Sequence, residues 1–252
     1  MKLRALLWFA GSALLACSLS AQESTEPSRG PDGDTRTHVQ GIQVLPVAGK
    51  PFSGRDSIEW ARRLEDGSVV TTHLTALVAR DSQGRIRRER VSFVPANSNE
   101  QSRVMETIIL DPVEHTRTTC MIATRQCTIT RYYAAVKFTP APAGPLDNGT
   151  RYLTRESLGT NVIDELNVVG TRETLTISAG AIGNNQPVVT TREFWYSSDL
   201  EINLSVTRKD PREGTQVLQL IDLSRSEPDP SLFQVPADFT VADARASAKT
   251  EN

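Results

Sequence analysis

The sequence is short of residues that do chemistry. Its 252 positions hold three histidines and three cysteines. His38, His73 and His115 lie far apart, and only His115 falls near Cys120 and Cys127. A zinc site gathers four ligands, so no metal is expected. No G-x-S-x-G elbow, H-E-x-x-H pair, phosphate-binding loop or G-x-G-x-x-G turn occurs, which removes the common nucleophile, metalloprotease and nucleotide signatures. Asp164 and Glu165 are adjacent carboxylates, but neighbours on a strand face opposite sides and cannot act as an acid–base pair. No catalytic residue, cofactor or enzymatic activity is expected.

Charge of one sign is also missing. The 28 basic and 30 acidic residues leave a net charge of −2. A nucleic-acid partner would need a basic surface, so none is expected. Long apolar runs are missing too. The N-terminal run Ala5–Ala16 falls short of the about 20 residues a membrane-crossing helix needs. The mature chain is therefore expected to carry no transmembrane helix. No segment shows a long amphipathic period of 3.6, so helix is confined to short turns.

What is present begins with an export signal over residues 1–21. Lys2 and Arg4 form a positive start, the short apolar run follows, and small residues close it. Two processing routes stay open. Cleavage after Ala21 would release a soluble chain beginning at Gln22. Alternatively, Leu14-Leu15-Ala16-Cys17 matches a bacterial lipobox, with Cys17 as the lipidation candidate. The protein is thus expected in the periplasm, at the outer membrane or outside the cell. Residues 22–40 are polar, rich in Pro and Gly, and read as a disordered tether. Residues 242–252 read as a disordered tail.

Between them, residues 41–241 read as a single β domain. The Pro- and Gly-rich stretch 138–150 would join two halves if the sheet is divided. Asp66-Gly67 and Ser82-Gln83-Gly84 punctuate three antiparallel strands, because Gly accepts positive φ without steric penalty. Ile58 and Trp60 share one strand face, as do Leu74, Ala76 and Val78. In TTCMIATRQCTIT, a turn at Ala123-Thr124 sets Cys120 opposite Cys127, a separation that a disulfide can bridge. Two separate buried thiols are the alternative. Arg151–Leu158 is expected to form a helical turn. Thr-Arg-Glu recurs at 171–173 and 191–193. Ile202, Leu204 and Val206 alternate with polar residues, the mark of a sheet with one buried face. Arg85, Arg87, Arg88 and Arg90 form a basic run. It is expected to be solvated charge that discourages edge pairing, or else a dock for an acidic partner or lipid headgroup. The fold expected is mainly β: a large curved antiparallel sheet, an open half-barrel with short helical turns.

The stretch EPDPSLFQVPADFTV, residues 227–241, holds three prolines beside Leu232 and Phe233. Asp229 can cap a helical turn and Pro230 fits its first position. That turn would carry Leu232 and Phe233 inward and close one end of the sheet, with FTV as a last short strand. Trp60, Phe194, Trp195, Tyr196, Leu204 and Phe233 are the candidates for lining an apolar ligand site. Plain core packing is their alternative role.

A terminal hairpin followed by D-P-x-x-F-x-x-P and a short strand resembles the lipoprotein-carrier family, the LolA/LolB-like proteins. The matching residues are Asp229, Pro230, Phe233 and Pro236, and FWYSSDLEINLSVTRKD is similar to a strand pair of that family. The blocks VIDELNVVGTRET, TREFWYSSDL, RKDPREGTQ and RSEPDPSLFQVP also resemble a family of exported acidobacterial proteins, a likeness that brings no activity with it. The carrier resemblance implies an unclosed antiparallel barrel whose concave face shelters acyl chains or another apolar ligand. The function expected is therefore non-enzymatic binding of a lipid, an acyl chain or an envelope protein. A filled sheet serving as an interaction module without a ligand cavity is the other expectation.

Overall fold

The structure, a computed structural model, describes residues 41–133 and 140–245. The expected export signal, Cys17, the expected tether with His38, residues 138–139 of the joint, and residues 246–252 of the expected tail lie outside them.

The described chain is mainly strand, at 57% of its residues. β1 (Phe52–Arg63), β2 (Val69–Arg80), β3 (Ile86–Val91), β4 (Val94–Pro95), β5 (Val104–Asp111), β6 (Thr116–Met121) and β7 (Gln126–Arg131) make the first half. β8 (Gly144–Leu146), β9 (Arg151–Ile163), β10 (Leu166–Ile177), β11 (Val188–Ser197), β12 (Ile202–Asp210), β13 (Gly214–Ser224) and β14 (Thr240–Asp243) make the second. One curved sheet holds them in the order β14-β7-β6-β5-β3-β2-β1-β13-β12-β11-β10-β9-β8, with β4 beside β2. Its two end strands do not pair, so the sheet is not closed into a barrel. The halves meet where β1 pairs with β13 and again where β14 pairs with β7.

The local turns follow from their residues. Gly67 sits at φ 85° and the Asp66 carboxylate accepts bonds from the Ser68 N–H at 2.9 Å and hydroxyl at 2.6 Å. Asp164 and Glu165, at φ 46° and 61°, are the two central residues of the β9–β10 hairpin, so they occupy a turn rather than opposite faces of a strand. Cys120 pairs with Cys127 in the β6–β7 register and the two form a disulfide.

Alternation then builds the core. Phe52, Ile58 and Trp60 share a face of β1 and stand opposite Arg80, Leu74 and Thr72 of β2. On the other side Ile58 meets Leu218 of β13, which meets Val206 of β12. Phe52, Ile58, Leu74, Val78, Leu204, Val206, Leu218 and Leu220 are buried in one cluster with Ile42 and Val44. Each large side chain buried there contributes about 1.5–3 kcal/mol.

Four expectations change. Arg151–Leu158 is strand, not helix, as the first part of β9. Its turn comes just earlier, at Asp147–Gly149, and β9 then gains a full-length partner in β10. The arginine run is not on an edge, because β3 lies between β2 and β5. The turn Pro230–Phe233 forms as expected, with the Asp229 carboxylate accepting the Ser231 N–H at 2.8 Å. However, Phe233 is buried with Ala79 and Ile109, apart from the large core. Ala79 follows Val78, so it points to the opposite side of β2. The turn is a plug on the second face, not a lid on the first. The chain after it runs to β14, which pairs parallel with β7 and ends at Asp243, two residues into the expected tail.

Candidate functional site

The apolar face of β1 and β2 is the surface that a sheltered ligand would use, and the chain itself lies across it. Ile42 and Val44 belong to the core cluster. The Ile42 backbone lies near enough to the Asp56 carboxyl to lower it against the rise that burial imposes. A Cβ on Gly41 would sit 2.0 Å from Asp56 Oδ2, so only glycine allows this approach. Asp56 is 4% exposed, and burial pushes its carboxyl up to about 6, with Arg88 at 3.4 Å pulling the other way.

Arg80 fastens the same segment. Its side chain has no solvent exposure. Nε donates to the Lys50 carbonyl at 2.9 Å, Nη1 to that of Leu45 at 3.0 Å and Nη2 to that of Leu200 at 2.5 Å. The guanidinium also lies 5.2 Å from the Phe52 ring centroid. Burial lowers its pKa to about 10. A buried charge without such partners would be costly; here three carbonyls satisfy it. Residues 41–50 therefore form a strap over the core face, tied to β2 and to the β11–β12 turn. Nothing in the sequence marks Arg80 or Asp56 for this, since each sits in an ordinary alternating strand.

Of the six residues expected at a ligand site, Phe194, Trp195 and Leu204 come together in or against the large core, while Trp60, Tyr196 and Phe233 lie outside that cluster. Phe194 and Leu204 are buried in the large core. Trp195 is half-buried on Gly170, where a Cβ would meet its ring at 2.6 Å. Trp60 packs tilted against Phe93, with ring centroids 6.1 Å apart, and donates its indole N–H to the Glu213 carbonyl at 2.7 Å. Phe233 lies on the second face beneath Arg85, at 5.0 Å. Tyr196 is exposed, and partial burial and the nearby Glu201 raise its phenol against Lys50 and Arg80. A shift of register between Trp195 and Tyr196 breaks the alternation expected there.

The arginine run is engaged within the molecule. Arg85 pairs with Asp81 at 2.6 Å, Arg88 with Asp56, and Arg90 with Glu106 at 2.7 Å. Arg87 donates to the Leu232 carbonyl at 3.0 Å, which holds the plug. A rim cavity of about 490 Å³ is lined by Glu114, His115, Arg131, Tyr133 and Arg245, and none of the six candidates borders it. Among the described residues no three His, Cys, Asp or Glu gather to hold a metal. No helix there is long and apolar enough to cross a membrane.

At the far end of the sheet the repeated Thr-Arg-Glu segments lie side by side. Arg172 stands opposite Glu193 on one side and Glu156 on the other, and pairs with both. Arg155 pairs with Glu173 in the next row. The repeats are thus a charge ladder across β9, β10 and β11. Among the described residues the outer side of β9 is paired only where β8 meets Arg151, Tyr152 and Leu153, and just beyond it Arg155 donates to the Ala141 carbonyl at 3.2 Å.

No family model and no curated protein matches the chain. Among solved structures it is similar to an uncharacterized conserved protein from Thermus thermophilus, at 14% identity and TM-score 0.40, over 77% of this chain and 91% of that one. It is also similar to the Pseudomonas aeruginosa MucA/MucB complex, at 13% identity and TM-score 0.38. That match spans 77% of this chain but only 58% of the other. A LolA superfamily protein from Nitrosomonas europaea is similar at 12% identity and TM-score 0.28, over 75% of this chain and 92% of that one. At these identities and TM-scores no activity or partner passes from those proteins to this chain.

Proposed function

We propose that the protein is a non-enzymatic binding module of the cell envelope that engages another protein on the outside of its sheet. One observation carries this reading: the apolar face is filled from within. Ile42, Phe52, Ile58 and Leu204 are 0–2% exposed there, and the strap of residues 41–50 lies across them. An acyl chain would have to displace packed side chains and the carbonyls held by Arg80. The expected export signal supports placement in the envelope.

Carriage of a lipid or acyl chain is the second reading. It is favoured by the strap being irregular chain rather than a paired strand, so its release would uncover apolar surface without breaking the ladder. Native mass spectrometry of protein purified from its own envelope fraction separates the two. The proposal expects a mass without a dissociable lipid-sized adduct. A stoichiometric adduct would favour the carrier. The same spectrum reports whether Cys17 carries a diacylglycerol.

A further inference from the structure

Resting on the protein-binding reading, we propose that the partner docks as an extended strand on the open edge of β9, from Thr154 to Ile163. It would run antiparallel, with a basic residue opposite Glu156 and an acidic residue opposite Arg155.

The edge is long, though the chain entering β8 lies against its start, where the Ala141 carbonyl accepts from Arg155 Nη2 at 3.2 Å, and it bulges at Leu158. Among the described residues no strand pairs with Thr154–Ile163 on the side away from β10. At about 3.4 Å per residue this leaves roughly 30 Å of unpaired backbone. Thr154, Arg155, Glu156, Ser157, Gly159, Thr160, Asn161 and Val162 are exposed. The edge at the opposite end of the sheet differs, since β14 covers β7 there. β8 is only three residues long, Gly144–Leu146. Such an edge is a template for strand addition. Two of its N–H groups are held by local, exposed side chains: Gly159 by Ser157 Oγ at 3.2 Å, and Val162 by Asn161 Oδ1 at 2.8 Å. A partner carbonyl can replace either.

Charge sets the register. One row runs Glu193, Arg172, Glu156 and ends at the edge on a carboxylate whose side chain is 57% exposed. The next row holds Glu173 and then Arg155, and ends on a guanidinium. An added strand that continues both alternations places opposite charges across each pair, which stabilises a sheet, whereas like charges destabilise it. In antiparallel order the basic residue precedes the acidic one. A second copy of the chain fits less well. Setting Arg155 against the partner's Glu156 would carry Leu158 onto the partner's Leu153, where β8 already pairs. Only Thr154–Ser157 could then join.

The test uses the folded protein, labelled with ¹⁵N, and an acetylated peptide TVTKETVT as probe. The peptide is expected to shift amides along β9 and β10. The swapped peptide TVTEKTVT is expected to bind at least threefold more weakly. N-methylation of alternate peptide amides is expected to abolish the shifts. Equal binding of the two peptides would overturn the charge register, and the absence of shifts up to millimolar peptide would overturn the edge site. A concentration-dependent dimer joined at β9 would assign the edge to a second copy and overturn the proposal. Shifts confined to another surface, such as exposed Met105 and Met121, would overturn the edge while leaving the protein-binding reading intact. That reading is tested separately by the lipid mass.

Discussion

The two faces of the sheet are each crossed by an end of the described chain, and the two ends are fastened by different forces. On the core face, the strap of residues 41–50 adds Ile42 and Val44 to a broad apolar cluster. Burial there takes polar groups out of water as well: Arg80 finds three carbonyls, while Asp56 meets Arg88 through one oxygen and leaves the other buried without a hydrogen-bond partner. On the second face, Phe233 meets only a small buried group, Ala79 and Ile109. Apolar area is scarce, and the segment is held by Arg87, by the Asp229 cap and by the parallel ladder of β14 on β7. Where burial is deep, the Arg80 guanidinium is tied to carbonyls; where it is shallow, backbone pairing does the fastening.

The sharpest way to break this comparison is to remove one apolar anchor from each face. Leu204→Ala in the large core is expected to lower unfolding free energy by about 4 kcal/mol in urea titrations, with loss across the whole sheet. Phe233→Ala is expected to cost about 3 kcal/mol. Its signature is regional: amides of Thr240 and Ala244, which pair with β7, should exchange with solvent before those of β12.

Acidity separates buried charges of opposite behaviour. Burial raises Asp56 from 3.8 to about 6. The protonated form is favoured in the folded state, so this contribution is fully present below about pH 4 and is lost as pH rises through about 6. Its size is up to about 3 kcal/mol. Asp210 goes the other way. Burial alone would raise it, but bonds from the Arg212 side chain and N–H and from the Thr190 hydroxyl lower it to about 2. That contribution of about 2 kcal/mol is present above pH 4 and lost as pH falls through about 2. Unfolding measured from pH 2 to 8 should show both limbs, and Asp56→Asn should flatten only the upper one.

Paired Cys120→Ser and Cys127→Ser changes are expected to cost roughly 2 kcal/mol, since the bridge closes a short loop. The smallest effect belongs to Arg172→Ala on the exposed ladder. Its shift in melting midpoint should vanish in high salt, because solvated pairs are screened.

Local chemistry was legible in the residues alone. Gly67 in its turn, the Asp229 cap and the Cys120–Cys127 pair each depend on neighbours within a few positions. The open curved sheet followed from strand alternation. Which strands are neighbours did not. The basic run on β3 looked like edge charge because nothing local says that β5 will lie beside it. Phe233 was expected with the main core because the face it meets depends on whether it lands over Val78 or Ala79, one residue apart. The six aromatic and aliphatic candidates were chosen for size, and size does not report which cluster a side chain joins. Arg80 was missed because its partners are backbone carbonyls remote in sequence.

The core face is filled by the chain itself. The most direct test is a titration of the ¹⁵N-labelled protein with a soluble fatty acid below its micellar concentration. The account predicts no saturable shifts at the amides of Ile58, Leu74, Leu204 and Leu218. Saturable shifts there, with displacement of Ile42 and Val44, would contradict it and make the strap the lid of a lipid carrier.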